Sequence, residues 1–175
     1  MNDYLLAIII GVLSSFVASL IFLLFLTRVR PNIVISNQIA KSKSLKTGEL
    51  VYIIRIINKT KRPIIDIKAQ LHLINLVVMP GGVIKNTKII ALKTSEIMEI
   101  SKFDSKDKMW NYAYRFIVDE NIETKWENSH SFLRFKISAK DSLSGFSRVF
   151  SKNYHTKINS IQEGKFEAGN SLEIK

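Results

Sequence analysis

Tyr4 to Thr27 reads YLLAIIIGVLSSFVASLIFLLFLT, 24 residues without a charge, and Arg28, Arg30 and Pro31 end the run. At 1.5 Å rise per residue it is about 36 Å long as a helix, enough to cross a ~30 Å hydrocarbon layer with some tilt. The sequence predicts one transmembrane helix here and no second. A cleaved signal peptide would have a basic start, a shorter apolar core and a small-residue cleavage site. Met1-Asn2-Asp3 carries no basic side chain and Leu26 to Arg30 offers no such site, so the helix is read as a retained anchor.

Working outward from that run, every Lys and Arg lies C-terminal to it, while Asp3 is the single charged side chain before it. Arg28, Arg30, Lys41, Lys43 and Lys46 fall close behind the helix. The positive-inside rule then puts the N-terminus outside and the C-terminal domain in the cytoplasm, with the chain in the cell inner membrane. The absence of cysteine fits a reducing compartment. Within the helix, Ala7, Gly11, Ser15 and Ser19 recur every fourth residue. Such a small-residue stripe lets helix backbones approach closely in lipid. Ser14, Ser15 and Ser19 are the polar side chains deep in the run. They either line a narrow pore, with Phe22 as part of a hydrophobic gate, or serve helix packing.

The remaining residues, 31–175, suffice for one domain with its own core. Periodicity there is mostly that of strands. Ile65, Ile67, Ala69, Leu71 and Leu73 alternate with Asp66, Lys68, Gln70 and His72 within Pro63 to Leu76, the pattern of a half-buried strand. Leu50 to Ile57 is apolar almost throughout, and the polar link Asn58 to Pro63 suggests that the two pair as a hairpin. Leu133, Phe135, Ile137 and Ala139 alternate with Arg134, Lys136, Ser138 and Lys140. A turn at Asp141 to Gly145 (DSLSG) then returns the chain as Phe146 to Tyr154. Asn32 to Ser36, Lys88 to Leu92, Glu96 to Ile100 and Tyr112 to Val118 are shorter strand candidates. Ser101 to Trp110 leaves room for a short helix, and Asn121 to His130 reads as a loop. The expected architecture is an immunoglobulin-like antiparallel β-sandwich. The domain plan is residues 1–30 for the helix and its flanks, 31–157 for the sandwich and 158–175 for a frayed tail.

Catalysis is poorly supported. His72, His130 and His155 are scattered, no cysteine is present, and no nucleophile elbow, phosphate-binding glycine loop or zinc-binding H-E-x-x-H occurs. The expectation is no enzyme, no cofactor and no metal. Charge points elsewhere, because 26 Lys and Arg against 15 Asp and Glu give a net +11. That excess favours an anionic partner such as lipid headgroups, a nucleotide or a single-stranded oligonucleotide.

If Asp141 to Gly145 is the whole loop, Lys140 faces Phe146, Lys136 faces Phe150 and Arg134 faces Lys152. One face then carries Arg134, Lys136, Lys140, Arg148 and Lys152 interleaved with Phe146 and Phe150. Cations that track phosphates beside rings that stack bases are the chemistry of a nucleotide surface. The alternative is a solvated face with two covered aromatics, and a one-residue slip would exchange the faces. Lys59, Lys61 and Arg62 form a second basic cluster in the turn before Pro63, a phosphate contact or a solvated turn.

Gly48 to Leu73 (GELVYIIRIINKTKRPIIDIKAQLHL) resembles the start of the cytoplasmic domain of inward-rectifier potassium channels. In that family a glycine turn leads into an apolar strand, a polar turn and an alternating strand. Phe132 to Tyr154 (FLRFKISAKDSLSGFSRVFSKNY) is similar to that family's paired strands, joined there by Thr-Gly or Ser-Gly and ending in Ser-Tyr where this chain has Asn153-Tyr154. The resemblance implies an immunoglobulin-like cytoplasmic domain that packs as a tetramer. The potassium-selective filter, pore helix and second transmembrane helix are missing, so potassium selectivity is not implied. In overall architecture the chain also looks like small single-pass membrane effectors of bacterial antiphage systems, of the Hailong type. That likeness implies a homo-oligomeric channel, a nucleotide or oligonucleotide signal and a co-encoded nucleotidyltransferase. The other expectation is a membrane-tethered binding or scaffolding module without channel activity.

Overall fold

A computed structural model describes residues 2–44, 48–118, 120–126 and 130–175; Lys46 and part of the loop expected at Asn121 to His130 lie outside the described residues. The apolar run forms α1 (Asn2–Arg28), exposed from Asp3 to Phe25 and long and apolar enough to cross a membrane by length and composition. Pro31, which cannot continue a helix, stands just past its end. The exit is pinned to the rest of the chain. Val29 and Pro31 are buried, and the Ser144 hydroxyl donates to the Val29 carbonyl at 2.5 Å.

The rest is mainly β, in two five-stranded sheets. In the first, β3 (Leu50–Asn58) is central. β1 (Ile33–Ile35) and β2 (Ile39–Lys43) pair along one edge and β7 (Ala113–Val118) along the other, all antiparallel. β10 (Ile161–Glu163) joins the outer edge of β2 in parallel. In the second sheet, β4 (Ile64–Met79) is central. It pairs with β5 (Gly82–Ile90) and β6 (Glu96–Ile100) on one side and β8 (Ser131–Asp141) on the other. β9 (Ser147–Tyr154) follows β8. Single helical turns, α2 (Ile122–Lys125) and α3 (Lys157–Ser160), complete the order.

The core lies between the sheets. Tyr52, Ile54, Ile56, Phe116 and Val118 from the first meet Leu71, Leu133, Phe135 and Ile137 from the second. The Phe116 and Phe135 rings lie 5.4 Å apart across that interface. Period two is what delivers these residues to one side of each strand. Along β4 the alternation survives a bulge: Ile65 pairs with Lys140 but Lys68 with Ser138, and Asp66 adopts a left-handed φ of 50° to absorb the extra residue.

Five expectations change, the first being the loop expected at Asn121 to His130, whose described part holds the helical turn α2. Leu50–Asn58 and Ile64–Met79 do not form a hairpin; they are the centres of different sheets. Asn58 explains the crossing, since its amide donates to the carbonyls of Arg62 (2.9 Å) and Ser101 (3.0 Å) and its side-chain oxygen accepts from Thr60. The side chains at the link bind its backbone and turn it out of the first sheet. Ser101 to Trp110 holds turns rather than a helix. Residues 158–175 are not frayed: they supply β10, and Phe166 and Ile174 pack on Ala40 and Ile53. Finally, β2 and β10 carry no strong alternation and were not expected as strands.

Candidate anion-binding site

The β8–β9 register decides the fate of the basic hairpin. Asp141 belongs to the strand, its N–H donating to the Phe146 carbonyl at 3.0 Å, so the loop is one residue shorter than DSLSG. Lys140 therefore faces Ser147, Ile137 faces Phe150, Phe135 faces Lys152 and Arg134 faces Asn153. Every β9 side chain sits on the face opposite to that expected from the longer loop. Arg134, Lys136 and Lys140 lie on the outer face, whereas Arg148, Phe150 and Lys152 share the side of Ile137 and Phe135. The expected single surface does not exist.

Most of these cations also have partners. Lys140 pairs with Asp66 at 2.8 Å, the Arg134 Nε donates to Asn153 at 2.9 Å, and Lys152 donates to Asn37 at 2.7 Å. Arg148 lies over the Phe150 ring, itself packed on the core, and Phe146 is at the edge of exposure. Lys136 is exposed. In the second cluster Lys59 covers the Phe103 ring, Arg62 pairs with the fully buried Asp141 at 3.0 Å, and Lys61 is exposed. His72, expected on a solvated face, is half-buried, and its Nδ1 has no partner among the described residues. Burial first, then Lys136, lowers its pKa.

On α1, Ala7, Gly11, Ser14, Ser15, Ser19 and Phe22 are all exposed, and a Cβ at Gly11 would meet nothing. The serine hydroxyls of Ser14 and Ser15 both donate to the Gly11 carbonyl, and that of Ser19 to Ser15.

A different basic region emerges on the outer face of the first sheet. β3 alternates Val51, Ile53 and Arg55 toward that face, and β7 contributes Ile117 opposite Ile53 and Arg115 opposite Arg55. The C-terminal segment folds over one side and brings Lys165 and Phe166. A cavity of about 450 Å³ results, with Val51, Ile53, Ile117 and Phe166 as apolar lining and Lys43, Lys93, Arg115 and Lys165 as cations. Among the described residues no Asp or Glu lines it, and none of the four cations forms an ion pair. Unpaired cations around an apolar floor accommodate a ligand with an anionic group and a flat or apolar body.

None of these residues stood out from strand periodicity. The available signal was Arg55 within LVYIIRIIN and Arg115 within AYRFIV, each a charge inside an apolar strand. Lys93 and Lys165 lie in segments without periodicity and are brought in by tertiary folding.

No family model and no curated protein matches the chain. Among solved structures it is similar to Spo0M, a sporulation control protein from Bacillus subtilis, at 10% identity and a TM-score of 0.35. The match covers 72% of this chain and 48% of that one, so the chain spans about half the length of this structural neighbour.

Proposed function

We propose that the chain is a single-pass membrane protein. In this reading α1 spans the bilayer with its N-terminus outside, and the β-domain, an immunoglobulin-like sandwich, lies in the cytoplasm. It binds an anionic ligand of the nucleotide or short single-stranded oligonucleotide class. Copies associate through the Ala7, Gly11, Ser15 and Ser19 face into a homo-oligomer, a tetramer in its leading form. Ligand binding shifts the packing of the domains, and with it the helix bundle, between closed and conducting states. The reading is that of a membrane effector rather than an enzyme.

The observation that carries the ligand part is the cavity of about 450 Å³ with four cations and, among the described residues, no acidic lining residue. Like charges gathered around an apolar floor repel one another until an anion arrives. The test is full-length protein in nanodiscs titrated with a short oligothymidylate and with thymidine monophosphate at low and raised salt. Saturable binding that weakens steeply with salt is expected, with a further loss when Lys43, Lys93 and Lys165 become Gln. No binding at low salt removes the ligand. The oligomer is tested by Gly11→Leu with Ser15→Leu: loss of a defined oligomer in detergent is expected, and a monomer before as well as after ends the pore reading.

One observation favours a second reading, a membrane-tethered binding module without conductance. The three serine hydroxyl protons deep in α1 are already spent on the helix's own carbonyls, which suits packing better than lining a pore. Ligand binding without any ligand-dependent conductance in planar bilayers would select this reading.

A further inference from the structure

We propose that Arg55 and Arg115 form a second anion site, specific for a phosphate group, beside the cavity that Trp110 borders. This site lies across Arg115 from the larger cavity and does not depend on a membrane role or on gating.

Three features converge there. The β3–β7 register sets Arg55 directly against Arg115 on the outer face. Directly opposed like charges destabilise a strand pair unless something compensates them. Next, Arg55 is 2% exposed yet among the described residues meets no carboxylate. One terminal nitrogen donates to the carbonyls of Glu167 and Ser171 and the other to Gly169, while Nε is buried without an acceptor among the described residues. The carboxylate of Glu167 is itself taken by Lys175. A desolvated cation held only by neutral carbonyls, with one donor orphaned, is costly. Burial first, then Arg115, lowers the Arg55 pKa, the direction expected of a guanidinium lacking its counterion.

The third feature is the adjoining cavity of about 350 Å³, lined by Arg55, Met109, Trp110, Ala113, Tyr114 and Arg115. Among the described residues it too has no acidic lining. Trp110 is held at a left-handed φ of 53°. Asp107 imposes that turn, accepting from the N–H groups of Met109 and Asn111 at 2.9 Å each. A bulky residue in this region is strained, and such strain gathers at ligand clamps.

Charge selects the ligand class. Two guanidinium groups fix two positive charges, and a phosphate monoester or inorganic phosphate carries about −1.5 to −2 at neutral pH. A single carboxylate would leave one guanidinium uncompensated. Guanidinium forks also match the several oxygens of a tetrahedral oxyanion.

The experiment follows Trp110 fluorescence in full-length protein in nanodiscs, titrated with inorganic phosphate against chloride at matched ionic strength. Trp110→Phe defines the Trp126 background. A saturable change is expected with phosphate and not with chloride. Arg115 is exposed and opposes a like charge, so Arg115→Gln should fold with a thermal midpoint no lower than the parent's while weakening phosphate about 10- to 100-fold. Lys43→Gln with Lys93→Gln should leave phosphate affinity within about twofold. Adenosine monophosphate binding tenfold tighter than phosphate would identify an organic phosphate as the source, and equal affinity the free ion. The proposal is overturned by no saturable change at low salt, by unaltered affinity in Arg115→Gln, or by an equal loss in the double lysine variant. The last result would assign the ion to the larger cavity. Phosphate binding without oligothymidylate or thymidine monophosphate binding would instead sink the ligand reading above and leave this one standing.

Discussion

Replacing Asp141 with alanine should destabilise the β-domain by about 3 kcal/mol, a figure assembled from the contacts of one carboxylate. Asp141 is fully buried at the end of β8. One oxygen accepts from the Arg62 Nε at 3.0 Å, and the other accepts from the backbone N–H groups of Leu143 (3.0 Å) and Ser144 (3.1 Å). The Arg62 side chain is 32% exposed, so water relieves part of its loss and the pair contributes about 1–2 kcal/mol rather than the 3–5 of a fully buried one. The two turn N–H groups add about 0.5–1 kcal/mol each. Asp141→Asn keeps a carbonyl acceptor for the turn and should cost only about 1–2 kcal/mol. At roughly 2–4 °C per kcal/mol for a chain of this size, Asp141→Ala lowers the midpoint by about 6–12 °C. Thermal melting of full-length protein in detergent measures this, and a double-mutant cycle with Arg62→Gln isolates the pair. A loss below about 1 kcal/mol, or strict additivity with Arg62→Gln, would show that the turn does not depend on this carboxylate.

Phe116→Ala removes the ring that joins the two sheets, fully buried at 5.4 Å from Phe135. It should cost about 3–5 kcal/mol by denaturant titration, whereas Val149→Ala on an exposed position should stay within about 0.5. Gly164 adopts φ +136° and a Cβ there would strike the Lys175 carbonyl oxygen, so Gly164→Ala should release residues 165–175 to limited proteolysis; equal protection of that segment would refute the close approach. Stability should fall as pH drops below the ordinary Glu value. The Lys41 ammonium, hydrogen-bonded to Glu123, holds that carboxylate below 4.5. A depressed folded pKa gives stability that is complete above the unfolded value and disappears as pH falls through the folded one. Asp66 and Asp107 are lowered likewise, by Lys140 and by backbone N–H groups around Asn111. Melting curves from pH 6 to about 3 should thus slope less in Glu123→Gln than in the parent, and parallel slopes would contradict the assignment.

Legibility in the sequence follows the range of the determining interactions. α1 and the alternating strands β4 and β8 could be read because burial writes period two or a long apolar run directly into neighbouring residues. The β8–β9 register could not. It turns on whether Asp141 ends a strand or begins a loop, and its partner Arg62 lies far away in sequence. The same holds for Asn58, whose bonds to Arg62 and Ser101 send the chain to another sheet where the polar link alone suggested a hairpin. The ordered C-terminal segment is the extreme case, since Arg55 gathers the carbonyls of Glu167, Gly169 and Ser171. The candidate site inherited this opacity. The expected cations were those visible on an alternating strand, and most of them turned out to have partners, several from far along the chain. The unpaired ones are assembled from β2, β7, a connecting segment and the C-terminus.

Those same long-range bonds bear on whether anything felt at the domain could reach the helix. From β3 a series of contacts runs toward α1. Asn58 holds the Arg62 carbonyl, Arg62 holds Asp141, Asp141 holds the Ser144 N–H, and the Ser144 hydroxyl holds the Val29 carbonyl. Spatial continuity of this kind is not coupling, because coupling needs an element with two arrangements that both ends bias. What gives the series consequence is the connection between α1 and β1. It comprises only residues 29–32, with Val29 and Pro31 buried, so no slack linker separates helix from domain. A displacement of the β8–β9 turn must either break the Ser144–Val29 bond or carry the end of α1 with it. A flexible tether would have left the domain free to bind without consequence for the helix, and the buried exit of α1 is the feature that argues against such a tether.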